Sequence, residues 1–337
     1  MHSAAALGVL TTLGVALLYG PAIVATPPGG LGITHTVEVV RGGDAGELVN
    51  RSVLTAGNPE ADVMFGVDNT FLSAALDADV FEARSESAVD EFADVIDPAL
   101  LDEQNRVVPV DFGDVCLNYD RAWFEENDLA PPGSLVALTD PTYRGLTVVE
   151  DPTTSSPGMA FMLSTIAKFG EGADEGFENF WAALRENEVA VVAGWEEAYY
   201  GRFTWGSEGE GDRPIVVSYA SSPPVDVIFG EYATPPDVAP TAVIEDGCFR
   251  QVEYAGVMAG TDNSDAAGEL VDFMLTEDFQ ADIPLKMFVF PIRDDIELPE
   301  EFVKYTSVPE EPSRMEPAEI DANRSDWLDT WDEVMAG

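Results

Sequence analysis

Apolar and polar positions along this chain switch repeatedly between two periods. The run Thr36-Val-Glu-Val-Val40 changes face at every residue, as a half-buried strand does, and Ala45 to Thr55 spaces its apolar residues for one face of a helix. Ala61 to Val67 reads as a second strand that delivers Asp68 and Asn69 at its end, and Phe71 to Ala78 as a helix for which either residue could serve as N-cap. The long stretch Val107 to Tyr119 is extended, with Pro109 and Gly113 expected as bends. Beyond it, Gly145 to Glu150, Val189 to Val192 and Pro214 to Ser218 have strand patterns, alternating with a helix after Ser156-Pro157 and an amphipathic segment from Glu175 to Arg185. Leu270, Phe273 and Met274 recur at helical spacing within Ala266 to Asp278. A last helix, Pro317 to Ala336, presents Trp327, Trp331, Val334 and Met335 on one side, the tryptophans as packing anchors.

With 337 residues, 46% of them hydrophobic, the chain has material for two lobes of roughly 150 residues each. Its 63 acidic against 16 basic residues give a formal charge of -47, spread along the whole length. Such a surface repels nucleic acid and anionic lipid, which removes nucleic acid from the expected partners. So much self-repulsion calls for screening, and the basic residues are mostly Arg, with Lys only at 168, 286 and 304. This balance points to a halophilic setting, where the Debye length falls to about 3 Å.

Cys116 and Cys248 are the only cysteines, each in an apolar run; one bridge would need their strands to be neighbours, and two buried thiols are the expected state. The only histidines, His2 and His35, lie near the N-terminus, which excludes a Ser-His-Asp triad and a histidine zinc site. No phosphate-binding Gly-X-X-X-X-Gly-Lys loop occurs either. The side chains for acid–base or nucleophilic chemistry are assembled nowhere, so neither an enzyme nor a cofactor is expected. From Ala4 to Ala25 no charge appears, a length that suits a secretory signal or membrane anchor, although a basic start is missing and Pro21 interrupts it. Two Asn-Arg-Ser sequons, at Asn50 and Asn323, are compatible with export.

Three segments carry the candidate chemistry: Asp151-Pro-Thr-Thr-Ser-Ser-Pro-Gly158, Gly194-Trp-Glu-Glu-Ala-Tyr-Tyr200 and Ser218-Tyr-Ala-Ser-Ser-Pro223. They alternate hydroxyl-rich loops with aromatic rings, equipment for holding a small, flat, positively charged molecule. Together with Asp62-Val-Met-Phe-Gly-Val-Asp-Asn69, Val108-Pro-Val-Asp-Phe-Gly113, Leu117-Asn-Tyr-Asp120, Gln251-Val-Glu253 and Phe273 to Pro284, their order resembles the thiamine-binding proteins of ABC importers.

The resemblance implies a type II periplasmic-binding-protein-like α/β fold of two lobes, each a mixed sheet flanked by helices. Residues 1–33 would be a signal or anchor-like segment and linker, 34–112 with 253–337 the first lobe, and 113–252 the second. It further implies an extracellular or periplasm-equivalent location at the cell membrane, secreted or anchored through the N-terminal segment, and a monomer that delivers thiamine or its phosphates to an ABC permease. Thiamine joins an aminopyrimidine to a thiazolium, so Trp195 and Tyr219 would supply stacking faces. Asp44 and Asp68 would be candidate carboxylates beside Asn69, Ser155 a hydroxyl, and Tyr199 and Ser221 further contacts. Ser156-Pro157 opens a helix whose N-terminus suits a phosphate tail, with Ser156 the expected cap.

Departures from the pattern are also legible. The family's opening strand–helix unit is missing here, so either the gene encodes a longer start or Leu7 to Ile33 partly fills the gap. A family tyrosine falls on Val225 and a late tryptophan on Phe288. Two other readings stay open: a ferric-ion receptor, since Tyr199-Tyr200 resembles the paired tyrosines of iron-binding relatives, and a truncated, tethered remnant or sensor ectodomain.

Overall fold

A computed structural model describes residues 16–19, 37–41, 45–85, 94–172, 176–230, 232–306 and 308–337. It divides into two compact units, Met1–Phe112 with Val252–Leu298, and Gly113–Gln251 with Pro299–Gly337. Two long strands, β4 (Val107–Asp120) and β8 (Thr241–Val257), each contain a unit boundary. Pro109 and Gly113 lie inside β4, which runs through both positions as one strand.

In the first unit β1 (Ala16–Tyr19) pairs antiparallel with β2 (Glu38–Arg41) on one side and with β3 (Val63–Asp68) on the other, and β3 pairs antiparallel with β8. Part of the apolar N-terminal stretch therefore occupies a strand position between β2 and β3. The rest of that stretch, with Thr36 and His35, falls outside the described residues. All six residues of β3 are buried, so both faces of the sheet are covered. Helices α1 (Ala45–Leu54) and α2 (Leu72–Asp77) follow their strands directly. Val271 and Met274 of α7 (Ser264–Met274) and Ile283 of α8 (Glu277–Lys286) enter the same core as Val63, Met64 and Val67. The register of β3 on β8 slips between Phe65 and Val67, and Gly66 there has φ 94°, a backbone conformation that a side chain would strain.

In the second unit β7 (Ile215–Tyr219) is antiparallel to β4 and parallel to β5 (Thr147–Glu150), which is parallel to β6 (Ala190–Val192). The parallel strands alternate with α4 (Ser156–Phe169), α5 (Phe177–Glu186) and α6 (Ser222–Phe229), and α3 (Arg121–Glu126) follows β4. Parallel strands need such crossovers, and the covering helices explain why every residue of β5 and β7 is buried.

Two expectations need correction. Residues 299–337, expected in the first lobe, belong to the second unit. The cause is the apolar face of α9 (Pro317–Ala336): Trp331 meets the buried Trp181 of α5 edge to face with centroids 5.6 Å apart, and Arg185 donates to the Val334 carbonyl. The second concerns the cysteines, which form a disulfide rather than two thiols. Cys116 on β4 and Cys248 on β8 lie on neighbouring strands, both buried, and the bond spans 132 residues of sequence. Among the described residues, no helix is long and apolar enough to cross a membrane.

Candidate ligand-binding site

In an open α/β sheet the carboxyl ends of parallel strands leave a crevice where backbone and side chains meet a ligand. The second unit places its three quoted segments there, after β5, β6 and β7. Directly after β5, Asp151 accepts from the Thr153 N–H at 2.8 Å and from its hydroxyl at 2.6 Å, which closes the turn. The chain then enters α4 at very close range: a Cβ on Gly158 would stand 2.7 Å from the Glu150 carbonyl oxygen, so only glycine fits. Ser155 is the N-cap and accepts from the Gly158 N–H at 3.4 Å, taking the role expected of Ser156. Its hydroxyl is buried and engaged within its own turn.

Trp195 follows β6 and is only partly buried. Its indole Nε1 donates to Ser218 Oγ at 2.9 Å, and Ser218 in turn shares a 2.8 Å hydrogen bond with Ser222. The indole stacks on Tyr199, centroids 5.0 Å apart and planes 23° from parallel, while Tyr200 meets both rings edge-on at 5.4 Å. Tyr199 itself is buried, and its hydroxyl donates to Asp226 Oδ1 at 2.7 Å. A π-helical turn, Glu197–Arg202, brings the two tyrosines to the same indole. The exposed aromatic surface thus belongs to Trp195 and to Tyr200, which is 40% exposed; Tyr199 supports it from behind.

Asp226 also accepts from the Thr241 hydroxyl, and burial pushes its carboxyl up to about 7. Burial, with Asp226 beside it, holds the Tyr199 phenol well above its ordinary value, and burial with Asp226 pushes Tyr200 up to about 12. Among the described residues no three His, Cys, Asp or Glu side chains converge on a metal position.

Tyr219 and Ser221 are buried at the end of β7. The Tyr219 hydroxyl lies 3.3 Å from Gln251 Oε1, and Ser221 caps α6 by position without a side-chain bond to it. In the first unit Asp68 and Asn69 are likewise buried. Asp68 accepts from the Thr70 N–H at 2.8 Å and from its hydroxyl, and Asn69 Oδ1 accepts from the Val252 N–H at 3.0 Å. Neither residue is the N-cap of α2, a position held by Phe71. Both secure the end of β3. Phe288 is half-buried with φ 63°, and Asp44 lies outside the described residues.

Of the sequence-derived residues, the structure therefore gathers Trp195 and Tyr199 into one aromatic group, with Tyr200 added. Ser218, Ser222 and Asp226, which orient that group, were not singled out in sequence. Ser218 and Ser222 do lie in the quoted hydroxyl-rich segment, whereas Asp226 resembles any other acid of this chain.

The sequence profile described as bacterial extracellular solute-binding protein matches residues 58–310. The thiamine-binding periplasmic protein of Escherichia coli (strain K12) is 29% identical over 293 residues, 87% of this chain and 82% of that protein. The protein of that name from Brucella suis biovar 1 is 28% identical over 302 residues, covering 88% and 81%. Among solved structures, a periplasmic thiamin binding protein superposes with a TM-score of 0.72 at 26% identity, covering 87% of this chain and 84% of that one. A ferric binding protein from Campylobacter jejuni gives 0.66 at 18% identity, covering 86% and 88%, a likeness of fold alone. The fold is the periplasmic-binding-protein type, its role is binding and not catalysis, and the chain belongs to the bacterial extracellular solute-binding protein family.

Proposed function

We propose that this protein is an extracellular receptor for thiamine that hands its ligand to an ABC import permease. The observation that carries this reading is the indole of Trp195, partly exposed, backed by Tyr199 and fixed by Ser218. A planar cation stacked there gains cation–π energy of ~0.5–2 kcal/mol, and because hydrogen bonding and stacking already immobilise the ring, little side-chain entropy is lost on binding. The named relatives, matched over more than four fifths of the chain, support the same ligand.

The working location is the outer face of the cell membrane, where the receptor acts as a monomer in a salty medium that screens the -47 charge. The pairing of Ala16–Tyr19 on both sides favours a place in the sheet over a membrane anchor for that part of the N-terminal segment. Thiamine phosphates are the related ligands to compare, because the N-terminal end of the α4 dipole favours negative charge. Calorimetric titration with thiamine, its phosphates and ferric ion distinguishes these ligands in one series.

A further inference from the structure

Glu150, the last residue of β5, is completely buried, and no other residue hydrogen-bonds its carboxyl oxygens. Its face of the sheet is known from alternation. Val148 packs with Ala190, Val192, Ala198, Tyr199 and Val216 in the apolar cluster against which Trp195 lies, and a residue two places along a strand points the same way. Glu150 is the register partner of Val192, and continuing the pairing of Val148 with Val216 by two residues sets it level with Ser218. The carboxyl is thus enclosed in the layer that holds the Trp195 indole and its Ser218 anchor.

Resting on the thiamine reading, we infer that Glu150 is the charge-compensating residue for a cation stacked on Trp195, and that binding is coupled to release of the Glu150 proton. In the empty protein a buried carboxylate met only by its own backbone N–H is costly, so the acid stays protonated; burial outweighs that bond and pushes its pKa well above the usual carboxylate range. A fixed positive charge nearby, acting through a poorly screened interior, favours the ionised form without direct contact. The acid O–H bond breaks, the proton passes to the buffer, and a carboxylate remains beneath the bound cation.

Among the titratable groups of the neighbouring elements, Glu150 is the buried carboxyl that no other residue hydrogen-bonds. β6 carries no titratable side chain, and β7 carries only Tyr219. The π-helical turn and its approach carry Glu196, Glu197, Tyr199, Tyr200 and Arg202, of which Arg202 is paired with Asp212. On α4 the only charge is Lys168, at its far end and paired with Asp246, while Asp151 is held by Thr153. Asp226 already accepts from Tyr199 and Thr241.

The test is calorimetry of the full chain with thiamine in buffers of different ionisation enthalpy, across pH. About one proton should be released per thiamine, with affinity rising about tenfold per pH unit while the free acid remains protonated. Glu150→Gln keeps shape and neutrality, so it should melt like the parent near neutral pH yet release no such proton, lose its pH dependence and bind at least tenfold more weakly at the upper end of the range. Glu196→Gln, which removes an exposed carboxylate next to Trp195, should still release the proton. Thiamine binding by the unmodified protein without proton release, or an identical titration for Glu150→Gln, overturns this inference alone. Absence of any thiamine binding overturns the ligand assignment and this inference with it.

Discussion

The indole Nε1 of Trp195 donates to Ser218 Oγ at 2.9 Å, tying the residue that follows β6 to the end of β7. That bond fixes which edge of the ring is spent on the protein and leaves the face for a ligand. Ser218→Ala should release the indole and weaken thiamine binding by about 1 kcal/mol, the worth of one hydrogen bond. Trp195→Ala should cost ~1–3 kcal/mol. Calorimetric affinities for both variants check this; equal affinities in all three proteins would return the ring to a packing role.

The Cys116–Cys248 bond closes a 132-residue separation. Constraint of so long a loop in the unfolded chain stabilises by ~2–5 kcal/mol. The double substitution to Ser should therefore unfold at distinctly lower denaturant than the parent, and a strong reductant should bring the parent's midpoint down to meet it. Unchanged midpoints would show that the bond contributes nothing.

Asp111 is buried on β4 beside the Glu253 carboxyl of β8, and burial pushes its pKa up to about 8 from an ordinary value of 3.8. In the unfolded chain the proton leaves near pH 4, whereas the folded protein keeps it to about 8, so unfolding releases a proton within that window. Stability contributed by this site is thus present below pH 4 and declines as pH rises toward 8. Asp111→Asn should flatten that decline and gain most over the parent at pH 8, as read from urea unfolding at several pH values.

An excess of 63 acidic over 16 basic residues makes the folded state repel itself when salt is withdrawn. Melting temperature should fall steadily from molar to millimolar salt. A level profile would contradict adaptation to brine and leave the ligand assignment untouched.

What the sequence revealed of the fold was its local pattern. Ala61 to Val67 and Gly145 to Glu150 became β3 and β5 because short runs of apolar, strand-forming residues stand there, as in strands covered on both faces. The helix Pro317–Ala336 was equally plain, but an apolar face does not identify its partner, so its attachment to Trp181 emerged only in three dimensions. The same limit hid the disulfide, whose strands are adjacent although their cysteines are far apart in sequence. Ala16–Tyr19 sits in an apolar run without a period, which reads as well for a bilayer as for a sheet. At the site, the aromatic segment was legible, while the division of labour between exposed Trp195 and buried Tyr199 was not. Glu150 and Asp226 were invisible for a different reason: among 63 acids, only burial sets them apart.

Thiamine titration in molar salt, followed by heat and by tryptophan fluorescence together, tests the central claim most directly. A single equivalent should bind, with quenching that disappears in Trp195→Phe because the indole is the reporter at the site. No heat and no quenching in the folded protein, or a coloured complex with ferric ion in place of thiamine, would contradict it.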